Sequence, residues 1–238
     1  MDDLEPLATL RHPTAARPLL GLTVLVVEDS RFACEAVRLM CLRSGARIRR
    51  ADCLASARRH LQVYRPSVAI IDLGLPDGSG AELIAEMAAM VPRIGVILGM
   101  SGDDGTESLA MAAGADGFLD KPLQNLSAFQ ETILRHLPAD RQPIGPRMIS
   151  NDVITPDPVA YCDDLAHVAD ILGEDQDGAV LDYLAQFVSG LARSASDAPL
   201  EQAAAALAHS RARAGASRSD VARLAGLVQD RLSDRIAI

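Results

Sequence analysis

Lys121 is the only lysine in a chain of 238 residues that carries 22 arginines. Ammonium is a compact point charge and guanidinium a planar fork, so a composition that uses arginine everywhere else singles Lys121 out for chemistry. It lies just past a short apolar stretch, Gly117-Phe118-Leu119, and other reactive side chains hold equivalent places. Glu28 and Asp29 follow Leu22 to Val27, Asp72 follows Val68 to Ile71, and Ser101 comes just after Ile94 to Leu98. If these stretches are parallel strands, their carboxyl ends form one rim, the ligand-binding edge of an open α/β sheet. Three carboxylates on one rim repel unless a divalent cation sits among them, and hard oxygen ligands suit Mg²⁺. A hydroxyl and an ammonium beside that metal can hold an anionic group. Such a set fits phosphoryl transfer, which needs positioning and charge neutralisation more than covalent machinery.

The elements that would bring these residues together alternate along the chain. Strand signals fall at Leu22 to Val27, more weakly at Ala46 to Ala51, then at Val68 to Ile71, Ile94 to Leu98 and Gly117 to Leu119. Helical periodicity lies between them, marked by Phe32, Val37, Met40 and Cys41, by Leu83, Met87 and Met90, and by segments near 53–64, 104–113 and 124–137. Near-continuous apolar strands separated by helices predict a doubly wound α/β domain over residues 21–138, with a five-stranded parallel sheet covered on both faces. Residues 1–20 read as a tail. Pro138, Pro143, Pro146, Pro156 and Pro158 interrupt regular structure, so residues 139–158 read as a linker. Residues 159–238 show only helical stripes: Leu181, Leu184, Val188 and Leu191, then Leu200, Ala203, Ala204 and Leu207, then Val221, Leu224 and Val228. They predict a small all-α bundle of three or four helices.

Glu28-Asp29, Asp72 to Gly80 (DLGLPDGSG), Ser101-Gly102 and Gly114 to Pro122 (GADGFLDKP) together resemble the receiver domain of two-component response regulators, over about half the chain. The resemblance implies a flavodoxin-like fold with Asp72 as phosphoacceptor. It implies that Glu28, Asp29 and Asp72 hold Mg²⁺ with the backbone carbonyl of Gly74, that Ser101 and Lys121 bind the phosphoryl group, and that Phe118 is a switch aromatic. It further implies a histidine kinase or phosphotransfer protein as phosphodonor and a downstream signalling protein as target. The chain is then a phosphoacceptor, with self-catalysed phosphorylation and dephosphorylation, and not an enzyme acting on a separate substrate.

Three readings of the helical region stand side by side. Ala208-His209-Ser210 within the run from Ala203 to Arg213 resembles a histidine phosphotransfer domain, whose phosphorylated histidine lies mid-helix on an exposed face. At about 100° per residue, His209 falls opposite Leu200, toward solvent. Two departures weaken that chemistry: Arg211 falls on the apolar side where that family has a leucine, and Arg213 stands where it has a glycine. A fold that retains the bundle without the phosphotransfer, acting through protein contacts, is the leading expectation. A phosphorelay with an active His209 is the alternative. The second reading is a DNA-binding regulator, from the Ala222 to Gly226 spacing of a helix-turn-helix; nine arginines against fifteen acids after residue 138 argue against it. The third is an output enzyme, for which metal-ligand spacings are missing.

Composition closes off other classes. Hydrophobic residues make up 49% and charged residues 23%, which excludes a disordered chain. No apolar run approaches the roughly 18–20 residues of a membrane span, and the acidic start does not resemble a secretory signal, so a cytoplasmic location without membrane association is expected. The net charge of −9 speaks against nucleic acid as a partner. Cys34, Cys41, Cys53 and Cys162 show no metal-type pairing and read as reduced, buried thiols. Exposed apolar or alanine-rich helix faces leave a second copy of the chain as one candidate partner.

Overall fold

The computed structural model describes residues 12–103, 105–145, 152–173, 178–214 and 218–236. In chain order the elements are β1 (Thr23–Val27), α1 (Arg31–Ser44), β2 (Arg47–Ala51), α2 (Leu54–Val63), β3 (Val68–Asp72), the short β4 (Gly74–Leu75) and β5 (Gly78–Ser79), α3 (Gly80–Ala88), β6 (Val96–Ser101), α4 (Thr106–Ala112), β7 (Gly117–Asp120) and α5 (Leu126–His136). Four longer helices follow: α6 (Pro158–Leu172), α7 (Gly178–Ser194), α8 (Ala198–Ala214) and α9 (Arg218–Ile236).

The main sheet is parallel throughout, in the order β2-β1-β3-β6-β7. Its central strands β3 and β6 are buried at every residue, as expected where helices cover both faces. Leu25, Ile71 and Ile97 face one apolar layer with Leu83 and Ile84 of α3, while Val24, Ile70 and Leu98 face the other with Met40 of α1 and Phe129 of α5. β2 is an edge strand, and its sequence Arg-Ile-Arg-Arg-Ala leaves its arginines facing solvent, which explains its weak apolar signal.

Several elements depart from the sequence reading. β6 begins at Val96, although Ile94 is buried, and α3 ends at Ala88, so Met90 lies beyond the helix and is exposed. The end of the expected tail is part of the core: Leu19 is fully buried and its N–H donates to the Ser44 carbonyl. The expected linker is also partly built in. Ala139–Arg141 form a 3₁₀ turn, Val153 bridges Asn125, and Ile154 is buried with the sheet's core. Residues 1–11, 104, 146–151, 174–177, 215–217 and 237–238 fall outside the described set. Cys34 and Cys41 are buried on α1, and burial pushes both thiols up to about 12; Cys53 and Cys162 are only half-buried.

Helices α6 to α9 share one apolar core, which includes Leu165, Leu184, Val188, Leu200, Leu207 and Leu224. Phe32, from α1, is buried in the same core and meets the Tyr161 ring edge-on at 5.6 Å. Arg211 does not sit unpaired on the apolar face: its guanidinium lies at the flank of α7 and α8, 2.8 Å from Asp182, and also donates to the Gly178 carbonyl. A second ionic knot ties the helices at the α7–α8 turn. Asp197 accepts from Arg231 of α9, from the Tyr161 hydroxyl of α6 at 2.9 Å, and from the Leu200 N–H.

The hydrogen bond from Arg231 holds the Asp197 carboxyl below its ordinary value of 3.8. A lowered native value means the knot's contribution is present above the ordinary carboxylate range and is lost as pH falls through it. Asp197→Ala is expected to destabilise the helical region by about 2 kcal/mol at neutral pH, because three donors lose their acceptor. Thermal unfolding at pH 7 and pH 3 checks this, with the gap between wild type and variant narrowing at the lower pH.

Candidate functional site

Strand register brings the reactive residues to one rim. Val27 pairs with Ile71, so Glu28 lies beside Asp72; Asp72 pairs with Met100, and Ser101 pairs with Asp120, so Ser101 and Lys121 follow at the same level. The N–H of Lys121 donates to the Ser101 carbonyl at 2.8 Å, fixing where its side chain starts, and the Lys121–Pro122 bond is cis. The ammonium then reaches across the rim, 2.9 Å from Asp72 Oδ1 and 2.6 Å from Glu28 Oε2. All three side chains are almost wholly buried, at 10%, 8% and 1% exposure for Lys121, Asp72 and Glu28.

Charge at this rim is unbalanced. Glu28, Asp29 and Asp72 each offer a carboxylate oxygen within 4.8 Å of the others, against one ammonium. Burial, opposed by Lys121 and reinforced by Asp72 and Asp29, drives the Glu28 carboxyl well above its usual range. Burial and repulsion from Asp72 lift Asp29 to about 6, although its hydrogen bond from Tyr183 and the charge of Lys121 pull the other way. Burial would lower the Lys121 ammonium, yet Asp72 and Glu28 outweigh it and hold the group above its ordinary value. Glu28 Oε2 has no aligned hydrogen-bond donor despite its closeness to Nζ. Three carboxylates sharing one ammonium, two of them buried, keep surplus negative charge, the environment a hard divalent cation relieves. The acidic set therefore fits such an ion.

Of the other expected site residues, Ser101 is buried and its hydroxyl oxygen accepts from the Asp103 N–H at 3.1 Å, which leaves its proton available to a ligand. Gly74 lines the same pocket. Phe118 is half-buried against the layer that contains Ala110, beside Gly99, and lines a neighbouring depression with Ser101 and Lys121. His209 is exposed on α8 and forms no part of the pocket wall.

The residues that sequence reasoning missed come from the helical region. Helix α7 lies over the rim and supplies Gln186, Phe187, Gly190, Leu191 and Ser194 to the pocket wall. The Tyr183 hydroxyl donates to Asp29 Oδ2 at 2.7 Å, and Gln186 donates to Asp103 at 3.1 Å. The fit is close enough that a Cβ on Gly74 would come within 2.6 Å of Gln186 Nε2, and one on Gly102 within 2.7 Å of the Arg193 guanidinium. Asp164 of α6 completes the contact. It accepts from the Ser30 hydroxyl at 2.8 Å and from the N–H groups of Arg31 and Phe32 at 2.9 and 3.0 Å, thereby capping α1 from outside the α/β domain. No local sequence signal marks these residues, because each acts across a separation of more than 80 positions.

The five-stranded parallel sheet thus carries its acids and its one lysine at the carboxyl rim. Residues 24–133 match the family model described as the response regulator receiver domain, and this part of the chain is a receiver domain. The chain is 31% identical over 99 residues to the KDP operon transcriptional regulatory protein KdpE of Escherichia coli, covering 42% of this chain and 44% of the relative. It is 27% identical over 118 residues to the virulence transcriptional regulatory protein PhoP of Salmonella typhimurium, covering 48% and 52%. The chain thus spans about half the length of these relatives. Among solved structures, a two-component response regulator from Clostridium difficile aligns at 20% identity and a TM-score of 0.44, covering 48% of this chain and 94% of that one. The receiver domain of a Pseudomonas aeruginosa sensor histidine kinase, described with a magnesium ion in its active-site cleft, aligns at 23% identity and a TM-score of 0.44, covering 48% and 96%. Among the described residues, no helix is long and apolar enough to cross a membrane.

The cap from Asp164 is testable. Asp164→Ala leaves one hydroxyl and two N–H groups without their acceptor and is expected to cost about 2–3 kcal/mol. Amide exchange at Arg31 and Phe32 should quicken at least ~10-fold. Asp163→Ala, which removes only the exposed pair with Arg31, should shift stability by less than about 0.5 kcal/mol.

Proposed function

We propose that this chain is a two-component response regulator that takes a phosphoryl group on Asp72 from a histidine kinase or phosphotransfer protein and acts through protein contacts of helices α6 to α9. The observation that carries this reading is Lys121 Nζ bridging Asp72 and Glu28 beside Asp29 at the carboxyl rim of a receiver sheet. In the transfer, an Asp72 carboxylate oxygen attacks the donor's phosphorus. The new P–O bond forms as the donor's P–N bond, or the P–O bond of an acyl phosphate, breaks, and the donor group departs with the bonding pair. Lys121 exchanges its contact with the carboxylates for one with a phosphoryl oxygen, and the Ser101 hydroxyl donates to another. Glu28, Asp29, Asp72 and the Gly74 carbonyl would hold Mg²⁺, which when bound neutralises charge on the transferring group. Phe118, beside Ser101 and Lys121, is the residue whose rotamer would report the phosphorylated state.

The helical region fits a bundle of the histidine phosphotransfer type that has kept its packing and lost its chemistry. Helix α7, not α8 with its His209, faces the receiver site. Arg211 is committed to Asp182. The relatives named as transcriptional regulators match this chain over its receiver part, and the region after residue 138 carries a net charge of −6, so a DNA-binding output is the weaker reading. Phosphoacceptor action in the cytoplasm without membrane association fits all of this.

Incubation with labelled acetyl phosphate and Mg²⁺ tests the reading. Wild type should take up a base-labile acyl phosphate and Asp72→Ala none. A label that survives in Asp72→Ala and is acid-labile would replace this reading with a relay through a histidine. Asp29→Ala should weaken Mg²⁺ binding at least ~10-fold in calorimetric titration, since one of three anionic ligands is removed.

A further inference from the structure

Gln186, Gly190 and Ser194 stand one turn apart on α7, and all three line the pocket that holds Asp72, Ser101 and Lys121. Glycine is unfavourable inside a helix. A Cβ on Gly190 would meet no atom within 4 Å, so this position leaves open space on the side of α7 that carries Gln186. The Gln186 Nε2 donates to Asp103 Oδ2 at 3.1 Å, and because an ionised carboxylate only accepts, Asp103 fixes which end of the amide is which. The carbonyl oxygen Oε1 is left as an acceptor beside Gly74, 3.1 Å from where a Cβ of that glycine would stand. Gly74 lies two residues past Asp72, and its missing side chain is what admits the amide so close. Gln186 is itself exposed, and an open depression of about 830 Å³, lined by Ser101, Asp103, Lys121 and Arg193 among others, brings bulk water to the same rim.

A phosphoryl group on Asp72 is attacked in line, from the side opposite the Asp72 oxygen. Asp72 forms the pocket floor at 8% exposure, with Lys121 and Ser101 beside it, so the side left for attack is the one that α7 faces. We infer that Gln186 Oε1 accepts a hydrogen bond from a water and aims its lone pair at phosphorus, which makes the helical region a phosphatase toward the chain's own Asp72. The inference rests on the phosphoacceptor reading above. The water oxygen forms a new P–O bond as the bond between phosphorus and the Asp72 oxygen breaks. The carboxylate departs with the bonding pair, and both protons of the water leave on the phosphate, released as dihydrogen phosphate. Gln186 orients the water and takes no proton, and Asp103 is a positioning residue that acts through it.

The test follows loss of the acyl phosphate from the full chain, with Mg²⁺ kept, after labelled acetyl phosphate has been removed. Gln186→Met keeps the length of an exposed side chain and removes the acceptor, and it should slow the loss at least ~10-fold. The sign separates orientation from mere cover. A side chain that only shielded the site would admit water when cut back in Gln186→Ala and hasten the loss, whereas an orienting one slows it in both variants. Asp103→Ala should slow the loss as well, and the double variant with Gln186→Met should be no slower than Gln186→Met alone, because the two side chains act as one unit. Loss as fast as wild type, or faster, in either Gln186 variant overturns the inference, as do Asp103 and Gln186 effects that multiply. A wild type that takes up no label overturns the phosphoacceptor reading and this inference with it. A label that requires Asp72 and decays without regard to Gln186 removes this inference alone.

Discussion

One buried ammonium holds the receiver rim together. Three carboxylates within 4.8 Å of one another would separate in a low-dielectric interior without a counter-charge. Lys121 supplies it from the end of β7, at 2.6 and 2.9 Å from two of them. The order of the strands follows from the same demand. β1, β3, β6 and β7 must end at one level for a side chain from the last to reach acids on the first two, and the parallel register gives that level without any insertion. A lysine suits the task because its stem crosses apolar surface while its head meets two acceptors from one point.

The helical region adds polar contacts at this end of the sheet without adding positive charge to its carboxylates. Asp29, out of reach of a second ammonium, receives a phenol from α7, and the positive end of α1 receives Asp164 from α6. These contacts are polar and few, while Phe32 gives the same junction an apolar anchor. The balance matters physically. Hydrogen bonds to a charged group are directional and replaceable by an ion and its waters, whereas apolar burial is neither, so the junction can give way at the site and hold at Phe32.

Most of the receiver was legible because its signals are local. Apolar runs gave β1, β3 and β6, and residues placed just past them gave Glu28, Asp29, Asp72, Ser101 and Lys121, all of which the register brings to one rim. Boundaries were blurred where burial and hydrogen bonding part company, as at Ile94, buried outside its strand, and Leu19, buried outside any element. What stayed hidden was the roof. Tyr183 reads as a polar position in a helical stripe, and Asp164 as one acid among several on α6; their partners are set by tertiary packing over 154 and 134 residues of chain. Arg211 shows the opposite limit. A helical wheel places it on the apolar side, whereas its guanidinium lies at the flank of α7 and α8, where Asp182 receives it.

The first turn of α1 belongs to two structures at once. Ser30 begins the helix by capping Ala33, and Asp164 caps the same turn from the other side of the junction, while Phe32 fills a core it does not share a domain with. Here three consecutive residues, Ser30 to Phe32, answer to the helical region as well as to the sheet. A different α/β domain placed under α6 to α9 would keep this junction only if it carried those three residues along.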